Sequence, residues 1–123
     1  MDAPPVGSLR RTRALDVGAG IGRVTSTVLL HTFDDVVIVE PVKSFVDEGM
    51  RAADLGKWKG IREKASTKSV TFCQGPLQSF DPTVNVEEQS SDFVVERLGK
   101  AEGRAEDEIG FDVVWCQVRP RDQ

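Results

Sequence analysis

Three glycines fall within five positions, Gly18-Ala-Gly20-Ile-Gly22, directly after the apolar run Arg13-Ala-Leu-Asp-Val17. A loop this poor in side chains lets the backbone approach another backbone, or a ligand, where any Cβ would collide. The run before it has the length and the glycine boundary of a strand. After Gly22 the apolar period changes. Val24, Val28 and His31 share a helical face with Ile21, with Leu29 beside them, which predicts a helix over 21–31. Strand, glycine loop and helix together open a βαβ unit, and such units bind ligands at the carboxyl end of the strand.

The alternation continues along the chain. Val36-Val-Ile-Val39 is a continuous β-branched run, suited to a parallel strand covered on both faces. Phe45, Val46, Gly49, Met50 and Ala53 recur at helical spacing and predict a second helix over 42–55. Residues 56–68 carry five lysines or arginines and read as a surface connection. Ser69–Gln74 is a third strand, stopped by Gly75-Pro76, and Phe111–Gln117 is a fourth. The fold class is therefore α/β with a parallel sheet. Between Thr83 and Gly110, eight acids face three bases over a thin apolar stripe. That composition predicts an inserted acidic segment, partly helical or disordered, mobile and dispensable. Residues 1–12 read as a loose polar leader and 118–123 as a polar tail, leaving 13–117 as the domain.

Composition removes whole classes of function. A chain of 123 residues suits one domain. No apolar run approaches the ~20 residues of a membrane span, and the Met-Asp-Ala-Pro-Pro start lacks the apolar core of a secretory signal. A net charge of -4, with no basic stripe beyond Arg10, Arg11 and Arg13, argues against nucleic acid as a partner. Cys73 and Cys116 lie in apolar strand-like runs and read as two buried thiols of an intracellular protein. With one histidine, His31, and no Cys-x-x-Cys, no metal site is expected. His31 reads as a helix-end residue, and Trp58 and Trp115 as packing residues.

The glycine loop has a partner in the sequence. Glu40 follows Gly18 by twenty-two positions, at the end of the second strand. A carboxylate there can accept two hydrogen bonds from a ribose diol. The third glycine comes one position earlier than in the dinucleotide fingerprint Gly-x-Gly-x-x-Gly, which favours a ligand without a pyrophosphate over NAD. Arg23, on the first helical turn, can pair with a carboxylate through both arms of its guanidinium. S-adenosyl-L-methionine has the ribose and the carboxylate, and carries no phosphate.

At these residues the chain resembles a known family. Ala14-Leu-Asp-Val-Gly-Ala-Gly-Ile-Gly-Arg-Val24 is similar to the cofactor loop of the α-N-terminal protein methyltransferases, which methylate protein amino termini beginning X-Pro-Lys. Further similar stretches follow in order: Glu40-Pro41-Val42, Phe72-Cys-Gln-Gly75 with Leu77-Gln-Ser-Phe80, and Phe111-Asp-Val-Val-Trp-Cys-Gln117. The resemblance implies the N-terminal half of a Rossmann-like class I methyltransferase sheet, with strand order about 3-2-1-4. It implies S-adenosyl-L-methionine as cofactor, held by the loop glycines Gly18, Gly20 and Gly22. Gly18 and Arg23 would meet the methionine portion and Glu40 the ribose. Pro41 and Val42 would line the adenosine, Leu77 and Gln78 would border the adenine, and Gln117 would approach the methionine end. It further implies protein N-termini as substrates and a cytoplasmic or nuclear setting.

Several departures qualify what the resemblance implies, and one is the acidic segment 83–110, which is longer than the family's usual turn. Pro76 is an extra residue before Leu77. The family also continues past its glutamine with a tryptophan, a histidine and later an aspartate that bind and deprotonate the amine, whereas Gln117 is followed by Val118-Arg-Pro-Arg-Asp-Gln123. The family's N-terminal helices have no counterpart either. The resemblance implies S-adenosyl-L-methionine-dependent methyl transfer to protein N-terminal amines, in a chain expected to keep the cofactor site but to lack the substrate and acid–base residues and to be inactive alone, its last strand an apolar edge inviting self-association. A non-catalytic cofactor-binding fragment is the alternative, and an NAD-type oxidoreductase fragment is a third.

Overall fold

The computed structural model of the chain describes residues 11–99 and 110–117. The leader through residue 10, the acid-rich stretch 100–109 and the tail 118–123 lie outside the described residues. Among the described residues five strands form one sheet: β1 (Arg13–Val17), β2 (Asp35–Glu40), β3 (Ser69–Gln74), β4 (Val94–Gly99) and β5 (Val113–Cys116), in the spatial order β4-β3-β2-β1-β5. β3, β2, β1 and β5 run parallel, so the four expected strands take the expected relative order. The difference is β4, which pairs antiparallel with the outer edge of β3.

β2 is central, and its valine-rich run reads accordingly. Side chains alternate across a strand. Val36 and Ile38 point to one face, joining Ala14, Leu29, Leu30, Val46, Trp58, Ile61 and Phe72 in the larger core. Val37 and Val39 point to the other, against Leu15, Cys73, Val86 and Phe93. The first face is covered by helix α2 (Lys43–Asp54), through Val46, Gly49 and Ala53, and by the segment between β1 and β2. That segment is a π-helical stretch Thr25–Leu29 running into a short α1 (Leu30–Thr32). It buries Thr25, Leu29 and Leu30, leaving Val28 and His31 exposed. The expected face was Val24, Val28 and His31, of which Val24 alone packs on the core. The correction has a physical cause. The Thr25 hydroxyl donates to buried Asp16 at 2.7 Å, which turns that side of the helix inward.

The second face corrects the reading of the acidic segment. Over 83–99 its charged residues are exposed, but Val86 and Phe93 are buried in the core and Phe80 packs edge-on to Phe93 at 5.9 Å. Arg97 reaches Thr71 Oγ1 at 3.1 Å and Glu87 at 2.9 Å, tying β4 to β3 and to the turn before it. Residues 83–99 thus cover a sheet face that water would otherwise wet, and average composition conceals those few apolar anchors.

Four smaller readings also change. Arg11 and Thr12, assigned to a loose leader, are held in place: Arg11 pairs with buried Asp35 at 2.7 Å and Thr12 N donates to Asp34 at 2.8 Å. The 56–68 connection is anchored by Trp58 and Ile61, both buried, with Trp58 stacked obliquely on Phe72 at 5.5 Å. Trp115, read as a packing residue, is 44% exposed, since β5 is the edge strand of the sheet among the described residues. Cys73 is buried but Cys116 is exposed, and both are free. Among the described residues, no helix is long and apolar enough to cross a membrane.

If residues 83–99 complete the core, Phe93→Ala should cost about 3 kcal/mol of stability through the cavity it leaves. Val94→Ala, at a position 63% exposed, should cost less than about 0.5 kcal/mol. Urea denaturation of both variants measures this; equal, small losses would restore the dispensable-segment reading.

Candidate functional site

β1 ends at Val17, and the glycine loop bends over the carboxyl edge of the sheet. Gly18, Gly20 and Gly22 have φ of 72°, 62° and 91°, a region that side chains disfavour. Gly18 N donates to Val39 O at 2.8 Å, fastening the loop to the end of β2. Glu40 then binds both sides of the edge. Its Oε1 accepts from Gly20 N at 2.7 Å and its Oε2 from Val42 N at 2.9 Å. One buried carboxylate therefore ties the loop to the entry of α2. Each oxygen keeps a further lone pair for a ligand donor.

Two clefts flank this tie. One, of about 500 Å³, is lined by Gly18, Ala19, Gly20, Ile21, Arg23, Phe45 and Gln117. The other, of about 480 Å³, is lined by Pro41, Gln74, Gly75, Pro76, Leu77, Gln78 and Asp92. They approach each other at Gly18, where a Cβ would stand 3.2 Å from Gln117 O and 3.9 Å from Leu77 Cδ1. The extra Pro76 opens the short 3-10 turn Leu77–Ser79 and leaves Leu77 and Gln78 facing the second cleft.

The sequence-predicted residues thus separate into places. Gly18, Gly20, Arg23 and Gln117 come together in one cleft, and Pro41, Leu77 and Gln78 in the other. Glu40 is buried and lines neither cleft; it joins Gly20 of the first to Val42, the residue after Pro41 of the second. Val42 lines neither; its backbone N–H serves Glu40. Gly22 faces away from both clefts, toward Trp58, whose Cη2 lies 2.4 Å from where a Cβ would stand. The third glycine is needed for that indole to pack against the loop.

Two residues gained no site role from the sequence. Phe45 was counted with the core stripe of α2, yet it is 39% exposed and lines the first cleft. Asp16 is fully buried and accepts from Thr25 Oγ1 and, at 3.2 Å, from Gln117 Nε2. A carboxylate inside an apolar strand was the available signal for it. Asp16 orients the amide of Gln117 and holds the helix that follows the loop. Burial pushes its carboxyl above the ordinary 3.8; the Thr25 and Gln117 hydrogen bonds oppose this, and the Glu40 charge adds to it. Burial also pushes the Cys73 thiol up to about 12, which leaves it unreactive. Among the described residues, no group of three or more His, Cys, Asp or Glu side chains could hold a metal ion.

The raised Asp16 carboxyl sets a pH dependence. The folded state holds that proton more tightly than the unfolded chain. Asp16's contribution is therefore fullest below 3.8 and is lost as pH rises through its elevated folded value. Relative to Asp16→Asn, which does not titrate, the wild type should lose stability as pH rises from just below 3.8 toward neutrality. Thermal melts of both proteins across that interval measure it; a flat or rising difference contradicts the assignment.

The chain is similar to known proteins over most of its length. Residues 4–118 match the family described as AdoMet dependent proline di-methyltransferase. The chain is 36% identical over 113 residues to Alpha N-terminal protein methyltransferase 1 of Arabidopsis thaliana, covering 91% of this chain and 30% of that protein. It is 32% identical over 108 residues to the protein of that name from Oryza sativa subsp. indica, covering 88% of this chain and 26% of the other. With that of Schizosaccharomyces pombe it shares 34% over 80 residues, 65% of this chain and 31% of the other. The chain thus spans between a quarter and a third of the length of these relatives. A glycine loop tied to a buried Glu40, on a parallel β3-β2-β1-β5 core and inside a match of this extent, makes the chain a member of the AdoMet-dependent proline di-methyltransferase family.

Proposed function

We propose that the chain holds S-adenosyl-L-methionine at the carboxyl edge of its sheet and serves methyl transfer to the α-amino group of protein N-termini of the X-Pro-Lys kind. The observation that carries this reading is the placement of Glu40 between two clefts of different lining. Arg23 and Gln117 face one, and Leu77 and Gln78 face the other. A nucleoside joined to an amino acid has that division.

The residues present fit the cofactor. Glu40 keeps lone pairs for the ribose diol while its two backbone donors fix its orientation. The exposed Arg23 would take the carboxylate through both arms of its guanidinium. Pro41, Leu77 and Gln78 would border the base, with Val42 beside them. Gln117, oriented by Asp16, would meet the methionine end. The cofactor supplies a methyl group on a positively charged sulfur, open to attack by an amine lone pair. The chain's part is to fix that sulfur in place, since in-line transfer depends on alignment. The side chains lining the first cleft, Ala19, Ile21, Arg23, Phe45 and Gln117, include no histidine or carboxylate to take the amine proton. The described residues therefore bind and orient. A cytoplasmic or nuclear setting is part of the same proposal, by resemblance to the family.

Calorimetric titration with S-adenosylhomocysteine tests the cofactor assignment. Arg23→Ala and Glu40→Ala should each lose about 1.5–3 kcal/mol of binding. Glu40→Ala should also lower the melting temperature, because Gly20 and Val42 lose their acceptor. Unchanged affinity in both variants, or a larger thermal shift with NAD than with S-adenosylhomocysteine, would remove the assignment. Labelled S-adenosylmethionine with an X-Pro-Lys peptide separates an enzyme from a binding module: cofactor binding without labelling favours the latter.

A further inference from the structure

The first turn of α2 leaves Phe45 where a core residue would not be. Val46, Gly49 and Ala53 form the buried face of the helix, with Met50 partly buried beside them. Phe45 stays 39% exposed and lines the cleft that also contains Arg23 and Gln117. Its position is set by the residue one turn further on. A Cβ on Gly49 would stand 2.9 Å from Ile21 O, so the helix backbone is seated directly against the glycine loop. Val42, in the extended conformation that starts the helix, is fastened to the same loop through Glu40. Phe45 lies between these two attachments and has little freedom to move away from the loop.

The cleft it faces is lined on the loop side by Gly18, Ala19, Gly20 and Ile21, with Arg23 and Gln117 as its polar side chains, and Phe45 is its one aromatic residue. A ligand bound there through a carboxylate and an amine also needs apolar cover for its connecting carbon and sulfur atoms, and Phe45 is the lining residue that α2, rather than the loop, brings to the cleft. We propose that Phe45 is the apolar wall of the amino-acid half of the cofactor site, packing against the methylene and sulfur segment that joins the nucleoside to the amino acid. This rests on the S-adenosylmethionine reading given above. Sulfur against an aromatic ring is favourable, and the ring excludes water from the segment it covers. Phe45 is then a positioning residue for the sulfur that carries the methyl group.

The test is calorimetry on the 123-residue chain, with S-adenosylhomocysteine as probe and adenosine, lacking the sulfur and the amino acid, as displacing competitor. Phe45→Ala should weaken S-adenosylhomocysteine by about tenfold and change adenosine by less than about twofold. Phe45→Leu, which restores apolar bulk without the ring, should recover part of the loss. Thermal melts check that both variants fold; should the alanine variant fail to melt cooperatively, the leucine variant carries the same comparison with a smaller expected loss. Unchanged affinity for S-adenosylhomocysteine, or equal loss for both ligands, would overturn the role given to Phe45 while the cofactor reading stands. Absence of S-adenosylhomocysteine binding by the wild type would overturn the cofactor reading, and this inference with it.

Discussion

A carboxylate removed from water is unfavourable unless hydrogen bonds replace those it gave up, and Glu40 resolves that cost in a way that organises the sheet edge. Its two oxygens accept backbone N–H groups from Gly20 and Val42, which come from elements on either side of β2. The glycine loop cannot lift away without leaving a buried charge short of a donor. The start of α2 is bound by the same condition. Both clefts, and the positions of Arg23 and Phe45 along them, follow from that tie.

A second buried carboxylate acts across a longer span. Asp16 lies on β1 and Gln117 just beyond β5, and their contact joins residues 101 positions apart in sequence. The register of β1 with β5 makes this possible, since pairing Val17 with Cys116 puts the next residue beside the loop. Asp16 also holds Thr25, so one side chain fixes the helix after the loop and the amide at its rim. Burial and the nearby Glu40 charge both disfavour its ionised form. Together the two acids make the edge rigid where a ligand would need fixed donors and acceptors, an arrangement that suits orientation more than acid–base work.

Much of the fold was legible because parallel sheets have a strong period. β1 and β3 have the boundaries that glycine and proline mark, and β2 has the uninterrupted β-branched run of a strand covered on both faces. The acidic segment was not legible, because averaging its charge hides Val86 and Phe93, and two anchors suffice to seat it. The helical face after the loop was misjudged because a hydroxyl-to-carboxylate bond outweighs the apolar preference of Val28 for the interior. Phe45 kept the period of the core stripe, and periodicity alone cannot tell a residue at the rim of the buried arc from one facing a cleft.

The order of the four parallel strands came from the family resemblance; legible in the residues themselves were the strand–loop–helix opening, the α/β class and the pairing of a glycine loop with an acid at the end of the next strand. These follow from local rules: glycine permits the positive φ of the loop, and alternation fixes which side chains are interior. Only the tertiary structure decided what those residues do. It gave Gly22 to the packing of Trp58 and Glu40 to two backbone donors. It brought Asp16 to Gln117 and set Phe45 beside the loop. Each of these depends on contacts between segments remote in sequence, and such contacts are fixed by close packing and the need to satisfy buried polar groups, neither of which a local pattern records.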